Sequence, residues 1–226
     1  PILIAYERTA HTERNCPAWR RMYRKFVNLF VDGYVVNGIL TKQYLVSQGV
    51  SENVIFTGAM CADSFHLAEK VKMIKPEERL FFKRELHIEK KEIIYLYVGQ
   101  LITRKGVAYL LDAWKEHILS HPNDHLLIVG EGPLFDDFVQ GYGFMNSISF
   151  VGNIDYSRIS EYYAVADVFV IPTLEDNWSL VVPEAMACGL PIACSVYNGC
   201  HPELVHEGKN GVLFDTLNKA SLLYAL

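Results

Sequence analysis

Residues 161–195 read EYYAVADVFVIPTLEDNWSLVVPEAMACGLPIACS, and the succession of patterns inside them decides the fold class. Ile159, Tyr162, Tyr163 and Ala166 recur at helical spacing. "VFVIPT" (168–173) is a short run of nearly continuous apolar residues, which suits a strand covered on both faces. A polar break follows, then a helical stretch from about Ser179 to Cys188, then a second apolar run, "PIACSV" (191–196). Helix, strand, helix, strand is the grammar of a parallel sheet with helices on both sides.

The pattern continues in both directions. "IIYLYVG" (93–99), "HLLIVG" (125–130), "ISFVG" (148–152) and "GVLFD" (211–215) read as further strands. Between them, Val107, Leu110, Leu111, Trp114 and Ile118 form one helical stripe, and Leu134, Phe135, Phe138, Val139 and Tyr142 another. This alternation predicts a doubly wound α/β unit with right-handed crossovers. Ligands of such sheets bind beyond the carboxyl ends of the strands. Residues 1–57 hold a smaller version: a strand (2–6), a helix carrying Met22, Phe26, Leu29 and Phe30, a strand "GYVVN", a short helix ending at Gly49, and a strand "NVIFTG". Between them, residues 58–91 are polar and read as a linker region, with one helix over "PEERLFFKREL" and Pro76 in its first turn. The reading is therefore residues 1–57, a linker over 58–91, and a larger unit over 92–226. The chain opens directly on a strand and stops inside a helical pattern, so it reads as a piece of a longer protein.

Bulk properties narrow the function. The 226 residues are 50% hydrophobic and 21% charged, enough for a sizeable core. A net charge of −5 gives no general attraction to nucleic acid. No apolar run approaches the roughly 18 residues a membrane span requires, and no signal peptide pattern opens the chain. The five cysteines include no Cys-x-x-Cys pair and read as reduced thiols, which points to the cytoplasm. Arg14, Arg20, Arg21, Arg24 and Lys25 cluster beside Trp19 and Tyr23. A solvated helix face is the favoured reading, and contact with an anionic membrane surface or an acidic substrate is the alternative.

Candidate site residues fall at the strand ends. After the first large-unit strand, Gly99 permits a tight turn, Arg104 and Lys105 supply cations, and Gly106 opens a helix, which is a seat for phosphate or an ordinary strand–helix turn. Gly130 and Gly132 in "VGEGPLF" begin a dinucleotide fingerprint, but the third glycine falls at Phe135, which argues against a nicotinamide enzyme. Asp176 and Glu184 flank the turn Asn177-Trp178-Ser179 and the start of the helix at about Ser179. Free N–H groups at Ser179 to Val181 would face an anion. Glu184 lies among apolar neighbours, which argues against a solvated face, and one carboxylate can accept hydrogen bonds from a vicinal diol. His117, His121 and His125 are spaced by four, but Pro122 and Asn123 end the helix and argue against a metal triad.

These pieces, "GQLITRKGVAYLL", "HLLIVGEGP", "ISFVGNI", the opening stretch and "GCHPELVHEGKNGVLFD", resemble in order the glycosyltransferase family 4 (glycosyl transferases group 1), over about residues 1–217. The resemblance implies a GT-B fold: two Rossmann-like domains facing across a cleft, a nucleotide-sugar donor held by the second and an acceptor by the first. It implies a retaining transferase for glycan, polysaccharide or glycolipid synthesis, with a glycan or lipid-linked acceptor, no cofactor and no metal. Location would be cytoplasmic or at the inner face of the membrane. Residue by residue, Lys105 resembles the diphosphate-binding lysine, Glu184 the ribose-holding glutamate, and Asp176 the acid that contacts the donor sugar. Gly99, Gln100, Arg104, Gly130, Val151, Asn177, Trp178, Ser179, Leu180 and Gly199 would line the donor site. Three positions depart from the family pattern. Gln100 replaces the usual arginine, Asp176 is one methylene shorter than glutamate, and Asn198-Gly199-Cys200 replaces a double glycine. A nucleotide-sugar-binding module without catalysis and an epimerase of the same fold are the alternatives.

Overall fold

A computed structural model of the chain describes residues 1–58 and 60–226. The first unit comprises β1 (Leu3–Tyr6), α1 (Ala18–Asn28), β2 (Gly33–Val36), α2 (Ile39–Ser47) and β3 (Ile55–Thr57), with its strands parallel in the order β1-β2-β3. Helices α3 (Ser64–Met73) and α4 (Pro76–Glu85) follow. The second unit begins with β4 (Ile94–Val98), α5 (Val107–Ser120), β5 (His125–Val129), α6 (Phe135–Tyr142) and β6 (Ile148–Gly152). It continues with α7 (Ile159–Val165), β7 (Val168–Ile171), α8 (Val181–Ala187), β8 (Ile192–Ser195), α9 (His201–Leu204), β9 (Gly211–Phe214) and α10 (Lys219–Tyr224). Its six strands are parallel in the order β6-β5-β4-β7-β8-β9. Each strand expected from an apolar run is present, to within two residues at either end.

Parallel strands bury both faces, and the side chains divide accordingly. Ile94, Leu96, Leu127, Val129, Phe169 and Ile171 enter one core cluster, whereas Tyr95, Tyr97, Leu126, Ile128 and Val170 enter the other. The period of two along each strand sends alternate residues to opposite faces. Trp114 and Leu110 on α5 complete the second cluster; both are fully buried. Within residues 58–91, α3 and α4 place Leu67, Val71 and Phe82 in the first cluster beside β4. Helix α3 carries no readable periodic signal, because its apolar stripe is only two buried residues long, Leu67 and Val71. It is started by Asp63, whose carboxylate accepts from the His66 N–H at 3.3 Å.

The smaller unit is thinly covered. Its core is Tyr34, Val36, Leu45 and Ile55. No residue of α1 is buried, and Trp19, Met22, Tyr23 and Phe26 are all exposed along it. Among the described residues, no helix is long and apolar enough to cross a membrane.

The strand order reverses between β4 and β7, and a crevice opens there beyond the carboxyl ends. The two loops that border it meet closely. The Arg104 carbonyl accepts from the Leu174 N–H (2.8 Å), the Glu175 N–H (3.2 Å) and the Thr173 hydroxyl (3.1 Å). This approach requires Gly106: its φ is +70°, and a Cβ there would lie 2.0 Å from the Pro172 carbonyl oxygen. Gly106→Ala should therefore lower the urea midpoint at constant m-value. The left-handed conformation alone costs about 1–2 kcal/mol for a residue with a Cβ, and the backbone clash adds to it. An unchanged midpoint would show that the two loops separate without loss.

Candidate functional site at the strand-order switch

The crevice is floored by loops that glycine allows to touch. The Gly99 N–H donates to the Val129 carbonyl (3.0 Å), and the Leu101 N–H to the Glu131 carbonyl (2.9 Å). A Cβ on Gly130 would stand 2.0 Å from the Gly99 carbonyl oxygen, and one on Gly132 would stand 2.5 Å from that of Leu101. These glycines thus serve the packing of one loop on another. That explains a broken fingerprint whose third position is Phe135, at the start of α6.

Above this floor lies a cleft of about 630 Å³ bordered by Gly99, Gln100, Gly130, Glu131, Asn153, Tyr156 and Glu184. Glu184 sits in the first turn of α8 with 8% of its surface exposed. Its Oε1 accepts from the Tyr156 hydroxyl (3.0 Å) and its Oε2 from the Tyr163 hydroxyl (3.1 Å). Burial pushes the Glu184 carboxyl up, and the two phenol hydrogen bonds pull part of the way back. Burial and the Glu184 charge push Tyr156 up to about 12, and Tyr163 rises well above its ordinary value for the same reasons. Both phenols are therefore donors at neutral pH. They leave the carboxylate with acceptor capacity on the side bordering the cleft.

The second acid is held differently. Lys105 Nζ lies 2.5 Å from Asp176 Oδ2, which also accepts from the Ser179 hydroxyl at 2.6 Å. Asp176 Oδ1 takes the Trp178 N–H at 3.3 Å. Burial alone would raise this carboxyl, but the Lys105 ammonium and the three hydrogen bonds outweigh it and hold Asp176 below the ordinary carboxylate range. Asp176, Arg104, Asn177 and Trp178 border a cavity of about 350 Å³ whose opposite wall is Glu7, Thr12 and Asn37 from the first unit.

The expected residues thus divide between two neighbouring spaces. Gly99, Gln100, Gly130 and Glu184 border the larger cleft; Arg104, Asp176, Asn177 and Trp178 border the smaller cavity. Lys105 pairs with Asp176, and the Arg104 guanidinium donates to the Glu175 carbonyl (3.2 Å). The helix expected from Ser179 begins at Val181, because the Asp176 side chain folds Trp178 and Ser179 into a turn. Leu180 is its half-buried cap residue. Gly199 donates its N–H to the Asp176 carbonyl (2.8 Å), and a Cβ there would lie 2.0 Å from the Asn177 carbonyl oxygen, so it secures the turn. Val151 packs against the core cluster, while Asn153 and Ile154 border the cleft. His117 bonds Asp124 (2.9 Å) and His125 bonds Ser149 (2.9 Å).

Sequence reading missed Tyr156, Tyr163, Glu131, Glu7, Thr12 and Asn37. Tyr163 was hidden because it belongs to an apolar helical stripe. Glu7 and Asn37 carried one usable signal: each is the first polar residue after a parallel strand.

The raised Glu184 carboxyl has a consequence for stability. The folded chain holds that proton more tightly than the unfolded chain. Its contribution is therefore complete below the ordinary value of 4.5 and is lost as pH rises through the folded value. Glu184→Gln removes this titration. From about pH 4 to pH 8, the unfolding free energy of the variant should gain on that of the parent and then level off. Parallel curves over that range in denaturant melts would show that burial does not perturb Glu184.

The chain matches the family Glycosyl transferases group 1 over residues 78–226. An uncharacterized glycosyltransferase of Methanocaldococcus jannaschii is 31% identical over 153 residues, covering 66% of this chain and 39% of the relative. The alpha-monoglucosyldiacylglycerol synthase of Acholeplasma laidlawii is 29% identical over 136 residues, covering 59% of this chain and 34% of that enzyme. Among solved structures, Anabaena HepE in complex with UDP superposes with a TM-score of 0.80 at 17% identity, over 99% of this chain and 61% of HepE. The sucrose-phosphate synthase of Thermosynechococcus elongatus superposes with a TM-score of 0.72 at 24% identity, over 99% of this chain and 57% of the synthase. The matched segments span little more than a third of these two curated relatives and about three fifths of these two structures. Because the matched range holds the whole six-stranded sheet and both loops of its crevice, the chain belongs to the glycosyl transferases group 1 family, with the GT-B fold.

Proposed function

We propose that the protein is a retaining glycosyltransferase that moves a hexose or related sugar from a nucleoside diphosphate to a hydroxyl acceptor. The observation that carries this reading is Glu184: a carboxylate buried in a crevice at the strand-order switch, held by two phenol donors, with acceptor capacity left for the ribose diol. The bond from the anomeric carbon to the diphosphate oxygen breaks, and the leaving group takes the electron pair. The acceptor oxygen bonds the same carbon on the same face, and its proton goes to the departing phosphate. Lys105 and Arg104 neutralise charge growing on the diphosphate, which is a term the transition state feels more than the ground state. Asp176, ionised and fixed by Lys105, Ser179 and Trp178, is placed to accept from hydroxyls of the transferred sugar.

The names of the relatives favour a lipid or glycan acceptor: one is a monoglucosyldiacylglycerol synthase and another a sulfoquinovosyl transferase. A lipid-linked acceptor would be met at the cytoplasmic face of a membrane. The exposed Trp19, Met22, Tyr23 and Phe26 on α1, beside exposed Arg20, Arg21 and Lys25, suit an anionic lipid surface. The chain should sediment with phosphatidylglycerol vesicles and not with phosphatidylcholine vesicles; equal behaviour with both would remove α1 from that role.

Glu184→Gln should weaken binding of the cognate nucleoside diphosphate roughly 10- to 100-fold, the worth of a charge-assisted hydrogen bond. Calorimetry with UDP and GDP, with chelator present, tests both the ribose assignment and the absence of a metal requirement. Unchanged affinity in the variant, or binding by the parent that requires magnesium or manganese, would contradict this account. Release of free nucleotide from the sugar donor without any acceptor would point to an epimerase.

A further inference from the structure

Among the described residues, Asn37 stands out because both amide atoms of its side chain are buried without a hydrogen-bond partner. Folds seldom leave such groups unmet, because desolvation is not recovered elsewhere. Asn37 is 4% exposed and follows β2 directly, on the wall of the 350 Å³ cavity between the two units. From the other unit, Asn177 borders the same cavity, and its Oδ1 is likewise buried and unpartnered.

The position of Asn37 is enforced by both units. A Cβ on the adjacent Gly38 would come within 2.4 Å of the Trp178 ring and 2.2 Å of Glu203 Oε2. The next residue, Ile39, donates its N–H to that same Oε2 at 2.9 Å. The turn carrying Asn37 is thereby pressed against the second unit, which fixes the backbone from which its amide projects.

What the cavity would take follows from its lining. A free amide presents two donor hydrogens and one acceptor oxygen side by side. Its complement is a group that both accepts and donates at adjacent positions. Glu7, Glu175 and Asp176 in the same walls disfavour a free phosphate or carboxylate. Arg104 on the wall, Arg14 on Glu175 and Lys105 on Asp176 match the three carboxylates in formal charge and leave little surplus for a cation. The Trp178 ring adds an apolar surface suited to the C–H face of a pyranose. Neutral vicinal hydroxyls of a sugar satisfy all of these conditions.

We infer that Asn37 is a specificity-determining residue whose amide engages a pair of adjacent sugar hydroxyls across the cleft. This rests on the glycosyltransferase reading and adds to it a contact from the first unit. The sugar is either the one being transferred or one belonging to the acceptor, and the two give different results.

The test compares the parent with Asn37→Ala and with the isosteric Asn37→Asp, which loses the amide donors but keeps the shape. Thermal melting of each variant establishes that it is folded. Calorimetry with UDP and UDP-glucose, and with GDP and GDP-mannose, gives the affinity advantage that the attached sugar confers. If the amide holds the transferred sugar, both variants bind the bare nucleotide within about twofold of the parent but lose roughly tenfold of that advantage. If it holds the acceptor, both calorimetric values stay at the parent level. In the complete protein the KM for the acceptor then rises about tenfold while kcat changes less. A folded variant that leaves sugar advantage and acceptor KM unchanged would show that Asn37 is satisfied by ordered water alone, and would overturn the inference. If only Asn37→Ala unfolds, Asn37→Asp decides. A parent that binds neither nucleotide overturns the donor-site reading proposed above, and this inference with it.

Discussion

The architecture of the site depends on one backbone oxygen. The Arg104 carbonyl collects two N–H groups and a hydroxyl from residues 173–175, joining the loop after β4 to the loop after β7. Each loop carries half of the charge pair, so this junction is what brings Lys105 to Asp176 across 71 residues of sequence. Gly106 makes the approach sterically possible, and the reversal of strand order makes it topologically possible.

Two carboxylates near one crevice would ordinarily repel and titrate alike. Here their surroundings push them apart. Asp176 has an ammonium, a hydroxyl and an N–H, which together overcome the cost of burial. Glu184 has only neutral donors, so burial prevails and its carboxyl rises. The difference suits the two tasks proposed for these acids. An anion fixed by a cation is a rigid acceptor for sugar hydroxyls. A carboxylate held by phenols can exchange part of its hydrogen bonding for that of a diol without leaving an unpaired charge.

Much of the fold was legible because parallel strands write nearly continuous apolar runs, as in "IIYLYVG" and "HLLIVG", and the α5 stripe has helical period. The start of α8 was read two residues early, since sequence does not reveal that Asp176 will claim the Trp178 N–H and the Ser179 hydroxyl. At the site, the acids and cations stood out as charge among apolar neighbours. Tyr163 did not. An aromatic residue on an apolar stripe signals core packing, and only the fold shows its hydroxyl turned to Glu184, 21 residues on. Asn37 was silent for another reason: its proposed role arises from a wall supplied about 140 residues later, and no local pattern encodes that wall.

This last case shows how the two units depend on each other. The β2–α2 turn of the first unit lies directly against the second. Trp178 and Glu203 press on Gly38 and Ile39 of that turn, while in the segment between β1 and α1 the His11 ring bonds the Leu174 carbonyl at 2.8 Å and Arg14 pairs with Glu175 at 2.8 Å. Three of these four donor-side contacts lie between residues 174 and 178, the same loop that carries Asp176. A single loop therefore fixes the charge pair within its own unit and the facing wall of the other. A change in residues 174–178 would bear on Asp176 directly and on the Asn37 turn through Trp178, with Glu203 as a second hold on that turn.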